Sequence, residues 1–194
     1  MSIRLFLALG IGIVAITCSG GDGGASSDPS PTPSRTGAAP ADALPRSPEV
    51  SSPAFSEGET VPTRHTCDGE DLSPALSWSE ATSATRSIAL LMDDPDAPGG
   101  TFSHWLVFDM PPDAAGLGEN VEPDSSGVTG KNDFGSRDYR GPCPPPGDPH
   151  RYRFTVFYLD RELGLDDNSE LDGFLEAIEG HVLDQGRLTG TFGR

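Results

Sequence analysis

Three stretches of the chain are apolar on both faces, and a fourth, shorter one shares the pattern. Ser87–Met92 reads SIALLM, with no polar residue past its first position. His104–Met110 reads HWLVFDM, with Trp105 and Val107 on one face and Leu106 and Phe108 on the other. Arg153–Leu159 reads RFTVFYL, and Leu76–Trp78 is a brief candidate of the same kind. Runs of this length predict strands buried on both sides. Turn-forming residues separate them: DDPDAPGG, PPDAAGLGEN and DRELGLDDN. Strands at this spacing, divided by Gly/Pro-rich turns, predict an all-β-dominated fold, a sandwich of two antiparallel sheets. One segment changes period. In Ser169–Leu183 the residues Leu171, Phe174, Leu175, Ile178 and Val182 recur at helical spacing, with Ser169 as N-cap, Asp172 three residues on, and Gly180 weakening the end. The sandwich is therefore expected to carry a C-terminal helix. Gly116–Tyr139 shows little strand pattern, and a loop of that length inside a domain is expected to be functional or mobile.

The N-terminus follows other rules. Leu5–Ile16 is an apolar run behind Arg4, the size of a secretory signal core and too short to span a bilayer. It ends at Ala15-Ile16-Thr17-Cys18, which resembles the acylation site of a bacterial lipoprotein, with the thiol of Cys18 as the lipid acceptor; the alternative is a plain secretory signal. Residues 19–50 are Gly, Ser, Pro, Ala and Thr with scarcely a larger aliphatic side chain before Leu44. Such a segment cannot bury enough apolar surface to offset the entropy of ordering, so it reads as a disordered tether. As a flexible coil it would span on the order of 30 Å. The expected organisation is a signal peptide over 1–18, a tether over 19–50 and one globular domain over 51–194. The chain would be exported to the cell envelope and held to a membrane by its N-terminal lipid.

Charge narrows the partners. The 194 residues carry a formal net charge of −17, and almost all of it falls after residue 50. So acidic a domain is a poor partner for nucleic acid, whose phosphates call for Lys and Arg. An anionic lipid surface would repel it as well. With Cys18 in the leader, Cys67 and Cys143 remain. Two cysteines in an exported domain suggest one disulfide, two buried thiols being the alternative.

No nucleophile elbow, zinc-protease helix, phosphate-binding P-loop or dinucleotide fingerprint is present, and no cofactor or metal site is expected. What remains is a set of polar residues at strand ends. Asp94-Pro95-Asp96-Ala97-Pro98 closes the first long strand and His104 opens the second. Tyr139 and Gly141-Pro142 precede the stiff loop CPPPGDP, after which His150-Arg151-Tyr152 opens the third. If the first two strands pair antiparallel, Asp94 and His104 meet at one edge; whether His150 joins them depends on the direction of its strand. Taken singly, Asp94 and Asp96 are turn formers and His150 is a surface histidine.

Together, DDPDAP, then HW, then GPCPPPG followed by HRY resemble the phosphatidylethanolamine-binding protein family. HTCDGEDLSPALSW and NDFG resemble its bacterial, Raf-kinase-inhibitor-like branch. The resemblance runs from about Pro53 to the closing LTGTFGR. It implies a β-sandwich with a small anion-binding cavity at one end, lined here by Asp94, His104, Tyr139, Gly141, Pro142, His150 and Tyr152. Imidazole N–H groups and glycine-loop amides would meet the ligand, and prolines would keep the loop preformed. Asp94 would orient an imidazole or meet a ligand ammonium. Asp96 is expected to shape the turn, and His65 and His181 to be structural. The expected function is a non-enzymatic binding protein for a small anionic ligand such as a phosphate ester or a phospholipid headgroup. The alternatives are a protein-interaction module that inhibits a kinase or peptidase, and a weak hydrolase using a His/Asp pair.

Overall fold

The structure, a computed structural model, describes residues 48–194. The signal segment, Cys18 and the tether through residue 47 lie outside the described residues. In chain order the elements are β1 (Val50–Ser51), β2 (Leu76–Trp78), β3 (Ser87–Asp94), β4 (Phe102–Met110), β5 (Gly116–Leu117), β6 (Val128–Thr129), β7 (His150–Leu159), α1 (Leu171–Ile178) and β8 (Val182–Phe192).

The strands form two antiparallel sheets. One has three strands in the order β1-β2-β5, and the other five in the order β6-β4-β3-β7-β8. The large sheet is covered on both faces, which is why β3, β4 and β7 are apolar throughout. Towards the small sheet it sends Ile88, Leu90, Met92, Trp105, Val107, Phe154 and Val156. Towards α1 it sends Ala89, Leu91, Leu106, Phe108, Phe157 and Leu159. Full burial of each large apolar side chain stabilises by about 1.5–3 kcal/mol. Phe174 of α1 closes the second core against Phe157, at 5.8 Å between ring centroids, and Phe108.

The helix is shorter than its periodicity suggests. Its N-cap is Glu170, with no side-chain cap bond, in place of Ser169. It stops at Ile178, and Gly180 then adopts φ +77°, which turns the chain out of the helix. Leu175 is exposed, and Val182 belongs to β8. That strand of eleven residues was not expected from the sequence. The segment Gly116–Tyr139 contributes β5 and β6, and Val50, placed with the tether in the sequence reading, is buried in β1.

β3 lies between β4 and β7 and is antiparallel to both. Its end therefore meets the starts of both neighbours, and Asp94, His104 and His150 come to the same edge of the sheet.

Candidate functional site

Asp94 and His150 form the centre of that edge. They continue, on β3 and β7, the alternation that points Met92, Tyr152 and Phe154 towards the small sheet. His150 donates from Nδ1 to Asp94 Oδ2 at 2.7 Å, while Asp94 Oδ1 accepts the Asp96 N–H at 2.8 Å. Asp94 is nearly inaccessible to solvent. A buried carboxylate held by two donors is a fixed orienter of the imidazole. Asp96, two residues on, has a different role. It accepts from Nε and Nη2 of Arg151, at 2.9 and 2.7 Å, together with the Arg151 backbone N–H. Those bonds hold its carboxyl well below the usual carboxylate range. Asp96 was expected to shape its own turn; instead its carboxylate ties that turn to Arg151 at the start of β7, and the bond within the turn is accepted by Asp94.

His104 reaches the site through a bulge. Met92 pairs with Trp105 and Asp93 with Ser103, so His104 is an extra residue in β4. Regular alternation would place it with Leu106 and Phe108 in the core beneath α1. The bulge turns it to the Trp105 face instead, where its ring meets Tyr152 edge-on at 5.3 Å. Phe102 and Phe134 pack on it at 5.4 and 5.2 Å. Nδ1 donates to the Arg140 carbonyl at 2.7 Å. Burial pushes the His104 pKa down, and the Arg140 and Gly141 carbonyls and the charges of Asp94 and Asp133 only partly oppose it. His104 is a neutral imidazole with its proton on Nδ1.

Tyr152 is fully buried between these groups, and its hydroxyl has no hydrogen-bond partner; among the described residues only Ser103 Oγ shares that condition. Burial and the Asp94 carboxylate push the Tyr152 pKa up, while the Cys143 amide beside the oxygen works the other way. The phenol thus keeps its proton and lies beside the Asp94 carboxylate with no acceptor at hydrogen-bond distance.

The loop residues behave differently from expectation. The Gly141 amide is not open to an anion, because it donates to Asp71 Oδ1 at 2.7 Å. Its glycine is needed for close approach: a Cβ there would lie 2.2 Å from the His65 carbonyl oxygen. Pro142 accepts the Cys67 N–H, and Cys67 and Cys143 are joined as a disulfide. The Tyr139 hydroxyl donates to the His65 carbonyl at 2.7 Å, so Tyr139 fastens the loop instead of offering its proton to a ligand. His65 and His181 have structural partners in Leu72 O and Asp160.

Several residues that the sequence reading did not single out hold this end together. Asn132 donates to the His104 and Asp138 carbonyls and accepts the N–H groups of Phe134 and Ser136. Asp133 accepts the Ser103 N–H at 2.6 Å. Asp71, in the left-handed region at φ 59°, holds Gly141 and the Arg140 guanidinium. The only signal for them was their place inside NDFG and HTCDGED. Beside the cluster, Phe134, Arg140, Asp71, Ser136 and the disulfide line a hollow of about 280 Å³. A shallow depression of about 580 Å³ lies along Pro145–Arg151. Two further hollows, of about 430 and 470 Å³, adjoin Thr82 and Thr85 at the opposite end of the sandwich. Neither brings in an imidazole or an unpartnered buried donor.

The phosphatidylethanolamine-binding protein family matches residues 51–193. The chain belongs to that family. A UPF0098 protein of Methanothermobacter thermautotrophicus is 47% identical over 146 residues, 73% of this chain and 95% of the relative. LppC of Mycobacterium tuberculosis, whose assigned name carries the word lipoprotein, is 36% identical over 144 residues, 74% of this chain and 71% of the relative. Among solved structures, Escherichia coli YbcL, described as a member of the mammalian family, superposes with TM-score 0.72 at 30% identity, covering 77% of this chain and 99% of YbcL. The Chlamydia trachomatis homologue CT736 gives 0.71 at 33% identity, covering 76% and 98%. These family members share the two-sheet fold.

Proposed function

We propose that this family member is an exported binding protein, held to a membrane by a lipid on Cys18, whose Asp94–His104–His150–Tyr152 cluster takes a small phosphorylated ligand. The observation that carries the reading is the Tyr152 hydroxyl, a buried donor with no partner at hydrogen-bond distance, on the ring that meets His104 edge-on, while the Nδ1 atoms of His104 and His150 are already bonded. Buried donors are seldom left unpaired, and a ligand oxyanion would satisfy this one. The Cys143 amide, beside the same oxygen, would serve a ligand in the way expected of Gly141. The lipid anchor is supported by the Cys18 context and by the name of the mycobacterial relative. Among the described residues no helix is long and apolar enough to cross a membrane. Titrating the protein with millimolar inorganic phosphate should shift the imidazole NMR signals of His104 and His150, and His150→Ala should abolish the response. Unchanged spectra would remove the reading. For the anchor, Cys18→Ser should release the protein from membranes, and retention would refute lipidation.

One observation favours a second reading, weak phosphoester hydrolysis. The Asp94–His150 bond at 2.7 Å is the geometry of an oriented general base. Turnover of a phosphomonoester that disappears in His150→Ala would establish it, and absence of turnover would remove it.

A further inference from the structure

The Cys67–Cys143 disulfide differs from a core crosslink in two respects. It lies at the surface: Cys67 is exposed, Cys143 is half-buried, and both line the hollow of about 280 Å³ beside Phe134 and Arg140. Its two sulfurs also stand in opposite electrostatic surroundings. The Arg194 guanidinium places Nη1 3.6 Å from Cys143 Sγ, whereas Asp68 Oδ1 lies 3.9 Å from Cys67 Sγ. Arg194 reaches Asp68 as well, at 3.2 Å through Nε, and so spans the bond from one sulfur to the other. Its main chain is held in place by the Gly147 N–H, which donates to the Arg194 carbonyl at 3.2 Å. Arg140 and Asp71, the other charged groups bordering the hollow, pair with each other at 3.3 Å. A neighbouring cation stabilises a thiolate and lowers the pKa of its thiol, and a neighbouring carboxylate does the reverse. In thiol–disulfide exchange the sulfur whose thiol has the lower pKa leaves faster, and access favours attack on the more open sulfur. Here both criteria select the same direction.

We propose that this disulfide is a reversible thiolation site, at which a small-molecule thiol attacks Cys67 Sγ and Cys143 leaves as a thiolate beside Arg194. The thiol first loses its proton to solvent. Its sulfur then forms a new S–S bond to Cys67 Sγ, the Cys67–Cys143 bond breaks, and the electron pair of that bond passes to Cys143 Sγ. The incoming sulfur is oxidised as Cys143 is reduced, so no further oxidant or reductant enters. Pairing of Asp68 with Arg194 lessens the repulsion that its carboxylate offers to the approaching anion. Main-chain bonds keep the two cysteines together while the disulfide is open. The Cys67 N–H donates to the Pro142 carbonyl at 3.2 Å, and the Gly141 N–H to Asp71 Oδ1 at 2.7 Å. The turn that carries Cys67 has bonds of its own, from the Thr66 N–H and hydroxyl to the Thr63 carbonyl and from the Gly69 N–H to the Thr66 carbonyl. The Cys143 thiolate therefore stays placed to attack Cys67 Sγ in return, which expels the small thiolate and restores the disulfide. The thiol concentration sets the balance between the two states. Opening frees the proline loop at Cys143, whose amide lies beside the Tyr152 hydroxyl, and leaves the strands untouched.

The test is incubation of the full chain in detergent with glutathione at about pH 8, where part of the thiol is ionised. Iodoacetamide then caps free thiols, and peptide mass spectrometry locates both groups, with Cys18 on a separate peptide. The product with glutathione on Cys67 and the alkyl cap on Cys143 should exceed the reverse arrangement by about ten-fold or more. Arg194→Met should shrink that ratio and slow the exchange by about three-fold or more, while Arg194→Lys, which keeps a cation, should retain both. Single-cysteine variants give an independent reading through thiolate ultraviolet absorbance. In Cys67→Ser the Cys143 thiol should titrate below the ordinary value of about 8.5, and in Cys143→Ser the Cys67 thiol should titrate at or above it. Equal amounts of the two adducts, an excess of glutathione on Cys143, or exchange only after unfolding in urea would overturn the proposal. If the Arg194 variants fail to fold, the adduct ratio in the unaltered protein still decides.

Discussion

The candidate site has two walls built on different principles. The strand wall carries Asp94, His104, His150 and Tyr152 on β3, β4 and β7, held by continuous antiparallel ladders and two apolar cores. The loop wall, residues 132–149 with 65–72, has no ladder. It is held by single side chains: Asn132 on His104 O, Asp133 on Ser103 N, Asp71 on Gly141 N, Tyr139 on His65 O, and one disulfide. Damage to the first wall is shared over the whole domain, whereas damage to the second stays local. The strand wall should therefore set global stability, and the loop wall should set the geometry that His104 and the Cys143 amide present to a ligand.

Phe154→Ala attacks the strand wall where it is fully buried. It should lower unfolding free energy by about 3–5 kcal/mol, read by urea denaturation, with little change in ligand affinity of the protein that remains folded. Replacing Cys67 and Cys143 together by serine attacks the loop wall. Closing the chain between residues 67 and 143 restricts the unfolded ensemble, so stability should fall by about 2–4 kcal/mol, and unlike Phe154→Ala it should also weaken phosphate binding. If affinity is unchanged, the two walls are not functionally distinct. Asn132→Ala should destabilise by about 1–3 kcal/mol. In hydrogen exchange the Asp133, Gly135 and Arg140 amides should lose protection while those of Leu90 and Val156 keep theirs. Uniform loss would erase the distinction between the walls.

The smallest effect is in pH. His104 has a folded pKa below its unfolded value near 6.5, so the unfolded chain binds the proton first. Its contribution is full above about pH 6.5 and is lost as the pH falls through that value towards the folded pKa. His104→Gln should flatten this part of the stability–pH curve. An unchanged slope would assign it to other groups.

Much of the strand wall could be read from the sequence. β3, β4 and β7 announce themselves because both their faces are covered, and the motifs at their ends named Asp94, His104, His150 and Tyr152. The loop wall was legible only as an unusual composition. Gly141 and Tyr139 were recognised as belonging to the site, but their partners lie about seventy residues away in sequence, and nothing local shows that Asp71 takes the Gly141 amide. β8 was missed for a related reason. VLDQGRLTGTF is polar and glycine-bearing, poor as an isolated strand. It extends because β7 offers it a ladder and residues 57–61 pair with its outer edge at Thr189 and Thr191. Gly186 and Gly190 are required there: a Cβ on Gly186 would lie 2.2 Å from the Pro48 carbonyl oxygen, and one on Gly190 would lie 2.5 Å from Val61 Cγ2.

The sequence by itself determined which stretches must be buried, and therefore that this is a two-sheet sandwich with its polar residues gathered at strand ends. Apolar periodicity is a local property and survives without knowledge of partners. Only the tertiary structure decided which way β7 runs beside β3, that a bulge turns His104 away from the helix-side core, and that the Arg140 carbonyl fixes its proton on Nδ1. Each of these depends on a pairing between residues far apart in the chain, and the chemical character of the site follows from them.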